Sequence, residues 1–303
     1  MPSPTFACGV GPGSREGDAD MPDDVAIVYE GLDFGEGPRW HDGRLWLSDF
    51  FAHRVLSIGP DGDARVELEL DDQPSGLGWL PSGELLVVAM RSRQVRRVGR
   101  DNAVHVHADL AAIATGQCND MVVDGRGNAY VGNFGFDTDA AERTPRAADL
   151  ALVRPDGTTE VAARDLRFPN GSVVTPDGST LIVGESMGAR YTAFTIEPDG
   201  TLTDRRVWAE VPGKGPDGCA LDAEGAIWMA DAYRGGCHRI GAGGEVLDEV
   251  TAGQPVFACA LGGPERRTLF LVTAPAFGEA VCAGTGAGRV EAVEVDVPGA
   301  GWP

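Results

Sequence analysis

The chain has 303 residues, a net charge of −21 and a pI near 4.5. An acidic surface of this strength repels phosphate backbones and anionic lipid, which argues against nucleic-acid and membrane-surface roles. No apolar stretch approaches the ~18 residues of a bilayer span. The six cysteines show neither a CxxC pair nor zinc-type spacing, and several lie in apolar runs as free buried thiols do, so a reduced cytoplasm is expected.

Residues 1–22 contain neither a basic segment nor a long apolar run. They read as a disordered tail rather than a signal peptide, with Met21 as an alternative start, and residues 23–303 read as one domain. From residue 25 the chain turns strand-like: VAIVYEGL (25–32) leads into a unit that then occurs six times. Each copy has a short polar or Gly/Pro element, an apolar run, a tight turn and a second apolar run. The copies begin GEGPRW at Gly35, QPSGLGW at Gln73 and QCNDMVV at Gln117. They continue as FPNGSVV at Phe168, GPDGCAL at Gly215 and QPVFACA at Gln254.

Alignment of the copies puts Glu36, Ser75, Asn119, Asn170, Asp217 and Phe257 at one equivalent position, with spacings of 39, 44, 51, 47 and 40 residues. A turn glycine follows eight residues later in four copies (Gly83, Gly127, Gly178 and Gly225) and seven later, at Gly43, in the first. The sixth has Glu265 there. Two further strand-like runs follow each unit, as RVLSI and DARVELEL follow the first, but the sixth has only RVEAVEV at 289–295. No stretch shows sustained helical periodicity. The pattern predicts an all-β fold, a six-bladed β-propeller of four-stranded blades. The segment 25–32 is expected to supply the missing outer strand of the last blade and so close the ring.

First strands of propeller blades line the central channel, so the six equivalent positions form a ring at one mouth. Four carry oxygen donors suited to coordination: Glu36, Asn119, Asn170 and Asp217. Two carboxylates with amides, and no cysteine or histidine, make a hard oxygen site for a divalent cation. Calcium is favoured, with magnesium, manganese or zinc as alternatives. Carboxylates buried together repel at a cost that such a cation removes. Asp or Asn after proline also bonds its own backbone in turns, so a structural role stays open for each of these taken alone; Glu36 makes no such turn. Asp49, Asn133, Glu185 and Asp231 end the second strands at the same mouth, one layer outward, and are candidates to steady the ligands. The histidines share no metal spacing and no G-x-S-x-G occurs; Lys214 adjoins Asp217 in sequence, with a simply solvated side chain as the alternative.

The segments LDFGEGPRWHDGRLWLSD, CNDMVVDGRGNAYVGNFG, FPNGSVVTPDGSTLIVGES and GPDGCALDAEGAIWMADAY make the chain resemble the SMP-30/gluconolactonase/luciferin-regenerating-enzyme-like family of six-bladed propellers, from about residue 25 to 296. The resemblance implies that Glu36, Asn170 and Asp217 hold the metal and that Asn119 lies beside it, contacting substrate or water. It implies a lactonase in which the metal polarises the ester carbonyl and Asp217 is the candidate general base. The chain departs from gluconolactonase-type members at Gln117, where they often have arginine, at Met121 in place of glycine, and at GNFGFD (132–137). With Phe136 and Phe257, these positions form the expected substrate-binding set. Long loops at 134–149 and 274–288, carrying Phe134, Phe136 and Phe277, are expected to rim the pocket.

The expected activity is therefore metal-dependent hydrolysis of a lactone or related cyclic ester less polar than a sugar lactone. A metal-dependent isomerase, lyase or cyclase acting on a carbonyl substrate is the alternative, as is a non-catalytic calcium-binding propeller. A small-molecule substrate and a monomeric state are expected.

Overall fold

Five of the six repeats fold back on themselves at the turn glycine. Asp42 and Gly43 both adopt left-handed conformations (φ 47° and 75°), the geometry of a two-residue hairpin whose twist matches its strands. Gly83, Gly127, Gly178 and Gly225 lie at φ of 87°, 89°, 69° and 81°, where a side chain is strained. The sixth repeat lacks this glycine and turns instead with Gly263 (φ 83°) and Arg266 (φ 57°) in left-handed conformations.

A computed structural model describes residues 25–138 and 144–301; the segment 1–22, expected to be a tail, lies outside the described residues. Among the described residues, twenty-four strands form six four-stranded antiparallel sheets arranged as a six-bladed β-propeller. The first blade runs outward through Gly35–His41, Arg44–Asp49, Arg54–Ile58 and Ala64–Glu69. The inner strands of the other blades are Pro74–Trp79, Cys118–Val123, Pro169–Val174, Pro216–Leu221 and Val256–Gly262. Among the described residues, helical structure is confined to the single turns Ser186–Gly188 and Glu279–Cys282, and no helix is long and apolar enough to cross a membrane.

The ring closes as expected. Ala26–Leu32 pairs antiparallel with Gly288–Glu294, placing Ala26 opposite Ala292 and Leu32 opposite Gly288. Leu32 is fully buried in a cluster with Leu47, Val272 and Val290, so both chain ends share one apolar layer. The first and last blades are thus joined through backbone hydrogen bonds and burial.

A feature common to all six blades positions the ring. Between inner and second strand, the register slips between Glu36 and Arg39, Pro74 and Leu77, Cys118 and Met121, and Pro169 and Ser172. The same slip falls between Pro216 and Cys219 and between Val256 and Ala258. Such bulges release one residue from the ladder and re-aim its side chain. Inner strands also crowd one another here, and the residue after the ring position is Gly37, Gly76, Gly171, Gly218 or Ala258 in five blades. A Cβ on Gly76 would lie 2.2 Å from Met121 N, and one on Gly171 would lie 2.2 Å from Asp217 O. Gly171 does not adopt positive φ, so Gly171→Ala tests sterics alone. It should destabilise the fold by about 1–3 kcal/mol in urea titration, the usual cost of overpacking; an unchanged midpoint would show that the strands can separate freely.

Candidate metal centre

The six bulges bring Glu36, Asn119, Asn170 and Asp217 together at the channel mouth, each 5–7% exposed. They form a chain of side-chain contacts. Ser75 Oγ donates to Asn119 Oδ1 (3.4 Å), Asn119 Nδ2 to Asn170 Oδ1 (2.9 Å), and Asn170 Nδ2 to Asp217 Oδ1 (2.6 Å). Glu36 completes the set; its Oε2 accepts from Gly37 N at 3.1 Å. Among the described residues no three His, Cys, Asp or Glu side chains form a metal cluster, and the third donor of this centre is an amide.

Both carboxylates are held in a state that disfavours their charge. Burial, then Asp217 and Asp120, push the Glu36 carboxyl well above its usual range. Burial is also the main cause that pushes Asp217 up to about 8, with the Asn170 hydrogen bond opposing and Asp120 and Asp231 adding repulsion. Two desolvated carboxylates in one centre are what a divalent cation would neutralise. All four donors are oxygen-bearing, and the set fits a hard cation.

Other expected residues fall around this centre. Phe257 (8% exposed) and Phe136 (9%) belong to one apolar cluster with Phe34, Phe50 and Phe134. Gln117 faces the neighbouring loop: its Nε2 donates to Asp137 Oδ1 (2.8 Å) and its Oε1 accepts from Thr138 N (3.0 Å). Met121 is 0% exposed and packs within that same cluster. Substrate contact was expected of it, but its geometry assigns it to the channel wall, because the inner strands pack too closely here to leave it a free surface.

Asp49, Glu185 and Asp231 serve the loops rather than the ligands. Asp49 accepts from Asp33 N and Phe34 N (both 3.0 Å), Glu185 from Arg167 N (2.7 Å), and Asp231 from Gly215 N (2.9 Å). Each thereby ties the segment entering an inner strand to the end of the second strand. Asn133 turns away, donating to Asp149 O and accepting from Gly135 N. Lys214, the chain's one lysine, is not solvated. Its side chain is 15% exposed, with Nζ 2.9 Å from His238 Nε2 and 3.8 Å from Asp231 Oδ2, on the wall of a cleft of about 410 Å³.

Several residues at the mouth escaped sequence reasoning. Ser186 Oγ accepts from Asn170 Nδ2 (3.2 Å) and donates to Pro216 O (2.6 Å), steadying the amide between two blades. Its signal was the Glu-Ser pair ending the second strand. Phe34 stacks edge-on against Phe257 and Phe277, at centroid distances of 4.9 and 5.3 Å. Phe168 takes a left-handed conformation (φ 59°), unusual for a bulky residue, while its ring lies 4.8 Å from that of Phe134. Arg39 and Asp120 pair in the channel; nothing in their local sequence announced it.

The fold and site define a six-bladed propeller with a buried oxygen-donor centre at one mouth of its channel. The profile of the SMP-30/Gluconolactonase/LRE-like region family matches residues 34–275, and the chain belongs to that family. It is 27% identical over 286 residues to a 6-deoxy-6-sulfogluconolactonase of Pseudomonas putida, covering 91% of this chain and 96% of that protein. Its fold is similar to a calcium-binding regucalcin of Agrobacterium tumefaciens (TM-score 0.76, 20% identity, 90% and 94% of the two chains). It is likewise similar to a gluconolactonase of Xanthomonas campestris (TM-score 0.73, 24% identity, 93% and 91%).

Asp217 makes the centre pH-sensitive when stripped of cations. Its folded pKa of about 8 lies above the ~3.9 of an unfolded aspartate, so the folded chain keeps a proton that the unfolded chain releases. The resulting stability is complete below the unfolded value and lost as pH rises through about 8. In chelator, calorimetry should show the melting temperature falling over this window, with a shallower fall in Asp217→Asn. Parallel profiles would count against buried repulsion at Asp217.

Proposed function

We propose that the chain is a divalent-metal-dependent hydrolase that opens a lactone or related cyclic ester less polar than a sugar lactone. The observation that carries this reading is the convergence of two buried carboxylates, Glu36 and Asp217, with Asn170 at the channel mouth of a gluconolactonase-family propeller. The lactonase named among the relatives supports hydrolysis.

Glu36, Asn170 and Asp217 would hold the ion, calcium in the first instance, with magnesium, manganese or zinc as alternatives. When bound, the ion supplies Lewis-acid polarisation of the ester carbonyl and charge for the developing oxyanion. Asp217 would be the group that takes a proton from water at its carboxylate. Asn119, whose Nδ2 donates to Asn170 Oδ1, would orient the substrate or that water.

The pocket's apolar character supports a substrate with a hydrophobic substituent. Phe34, Phe50, Phe134, Phe136 and Phe257 form one cluster, with Phe51, Phe168 and Met187 packed against it. Gln117, bonded to the 137–138 loop, stands where a sugar-binding arginine was expected. A small-molecule substrate, a monomeric state and a cytoplasmic location complete the proposal.

A panel of lactones and esters, assayed with calcium, zinc, manganese or chelator, tests the reaction. Hydrolysis should require the ion, and Asp217→Ala should lower kcat/KM by about 10³-fold or more and strip the ion. Full metal content in that variant would remove Asp217 from the ligand set. Tight ion binding with no hydrolysis of any panel member would favour a carbonyl isomerase or lyase. In a separate comparison, Phe136→Ala should raise KM about tenfold for lactones with apolar substituents, reflecting ~1–2 kcal/mol of lost burial, with bound metal unchanged. Equal KM changes for polar and apolar lactones would refute the apolar pocket.

A further inference from the structure

Five of the six inner strands place glycine or alanine directly after the ring position; the third places Asp120 there. Asp120 is 5% exposed, and its Oδ1 accepts from Arg39 Nη2 at 2.9 Å and from its neighbour Met121 N at 2.8 Å. Arg39 comes from the first blade, three residues beyond Glu36, and is itself 4% exposed. Its guanidinium also donates to Met121 O (2.6 Å) and Pro38 O (2.8 Å). The pair therefore bridges two non-adjacent blades, and the second blade's Gly76 lies between them in chain order, packed against Met121.

This pair belongs electrostatically to the centre. Asp120 directly follows Asn119, and Arg39 stands three residues beyond Glu36 on the inner strand that carries it, so both members lie on strands that build the centre. Accordingly, Asp120 raises the Glu36 and Asp217 carboxyls and Arg39 lowers that of Glu36. Asp231, which also bears on Asp217, is matched by Lys214 (Nζ to Oδ2 3.8 Å). Glu36, Asp120 and Asp217 in the charged forms that a cation requires, set against one guanidinium, leave two negative charges, which one divalent ion cancels. Without Arg39, the channel would hold a third uncompensated carboxylate beside the ligands, with a correspondingly larger pull on cations.

We propose that Arg39 acts as a built-in cation: it occupies Asp120, keeps that carboxylate from serving as an additional donor, and fixes the centre's charge at the value for one divalent ion. Arg39 is thus a positioning residue that sets the metal affinity of the site. This inference rests on reading Glu36, Asn170 and Asp217 as metal ligands. It differs from a purely structural ion pair in one respect. Removing the guanidinium should strengthen cation binding, while removing Asp120 should weaken it.

Calorimetric titration of chelator-treated full-length protein with calcium chloride, repeated with manganese chloride, tests this. Arg39→Met should tighten binding about tenfold or more, and Asp120→Asn should weaken it by a similar factor. The double variant, which replaces the buried pair without stranding either charge, should fold and return to within about threefold of the wild type. Metal-free Arg39→Met should melt below wild type, and the double variant should recover the loss. Equal or weaker binding in Arg39→Met, or a double variant that stays shifted, overturns the role of Arg39 while leaving the ligand set intact. Absence of calcium and manganese binding in the wild type itself overturns both readings.

Discussion

Two carboxylates at the channel mouth, Glu36 and Asp217, are buried almost completely. Water solvates them poorly, and the charge of Asp217 further disfavours that of Glu36. The surrounding architecture can be understood as what holds this arrangement together. The amides of Asn119 and Asn170 bridge toward Asp217, Ser186 steadies Asn170, and the Arg39–Asp120 pair sets the charge beneath. No single blade could impose it, because the members come from blades one, three, four and five.

The propeller supplies the required rigidity through repetition. Each inner strand bulges at the same place, so the ring side chains leave their ladders together and point toward one volume. Small residues behind them let neighbouring backbones approach closely, which leaves the ring little freedom to relax. The acids that end the second strands, Asp49, Glu185 and Asp231, pin the entering loops. A site built in this way is preorganised by backbone rather than by side-chain contacts alone.

The mouth combines two environments. The oxygen donors sit at its base, while phenylalanines from the first, third, fourth and last blades pack around it. Low polarity around the carboxylates strengthens their mutual repulsion and would strengthen any cation interaction in the same measure. The strained backbone of Phe168, two residues from Asn170, fits a segment held in place by its surroundings rather than by its own preference.

Periodicity and turn chemistry were enough to make the six blades, the closing strand and the ring legible in the sequence. A repeat aligned on its turn glycine places Glu36, Asn119, Asn170 and Asp217 in register, and register in a closed ring implies convergence. The surroundings of Lys214 and Met121 were not legible because sequence neighbours say little about which way a side chain turns. Lys214 folds onto His238 from the next hairpin, and Met121 is closed in by an adjacent blade. Arg39 and Asp120 lie 81 residues apart and share no local pattern, so their pairing could come only from the curvature that brings blades one and three to the same channel. The sequence by itself determined which residues take the ring position, because repeat phase is a local property. Tertiary structure decided their charges and partners, because desolvation and Coulomb interaction depend on distances that only the closed ring creates.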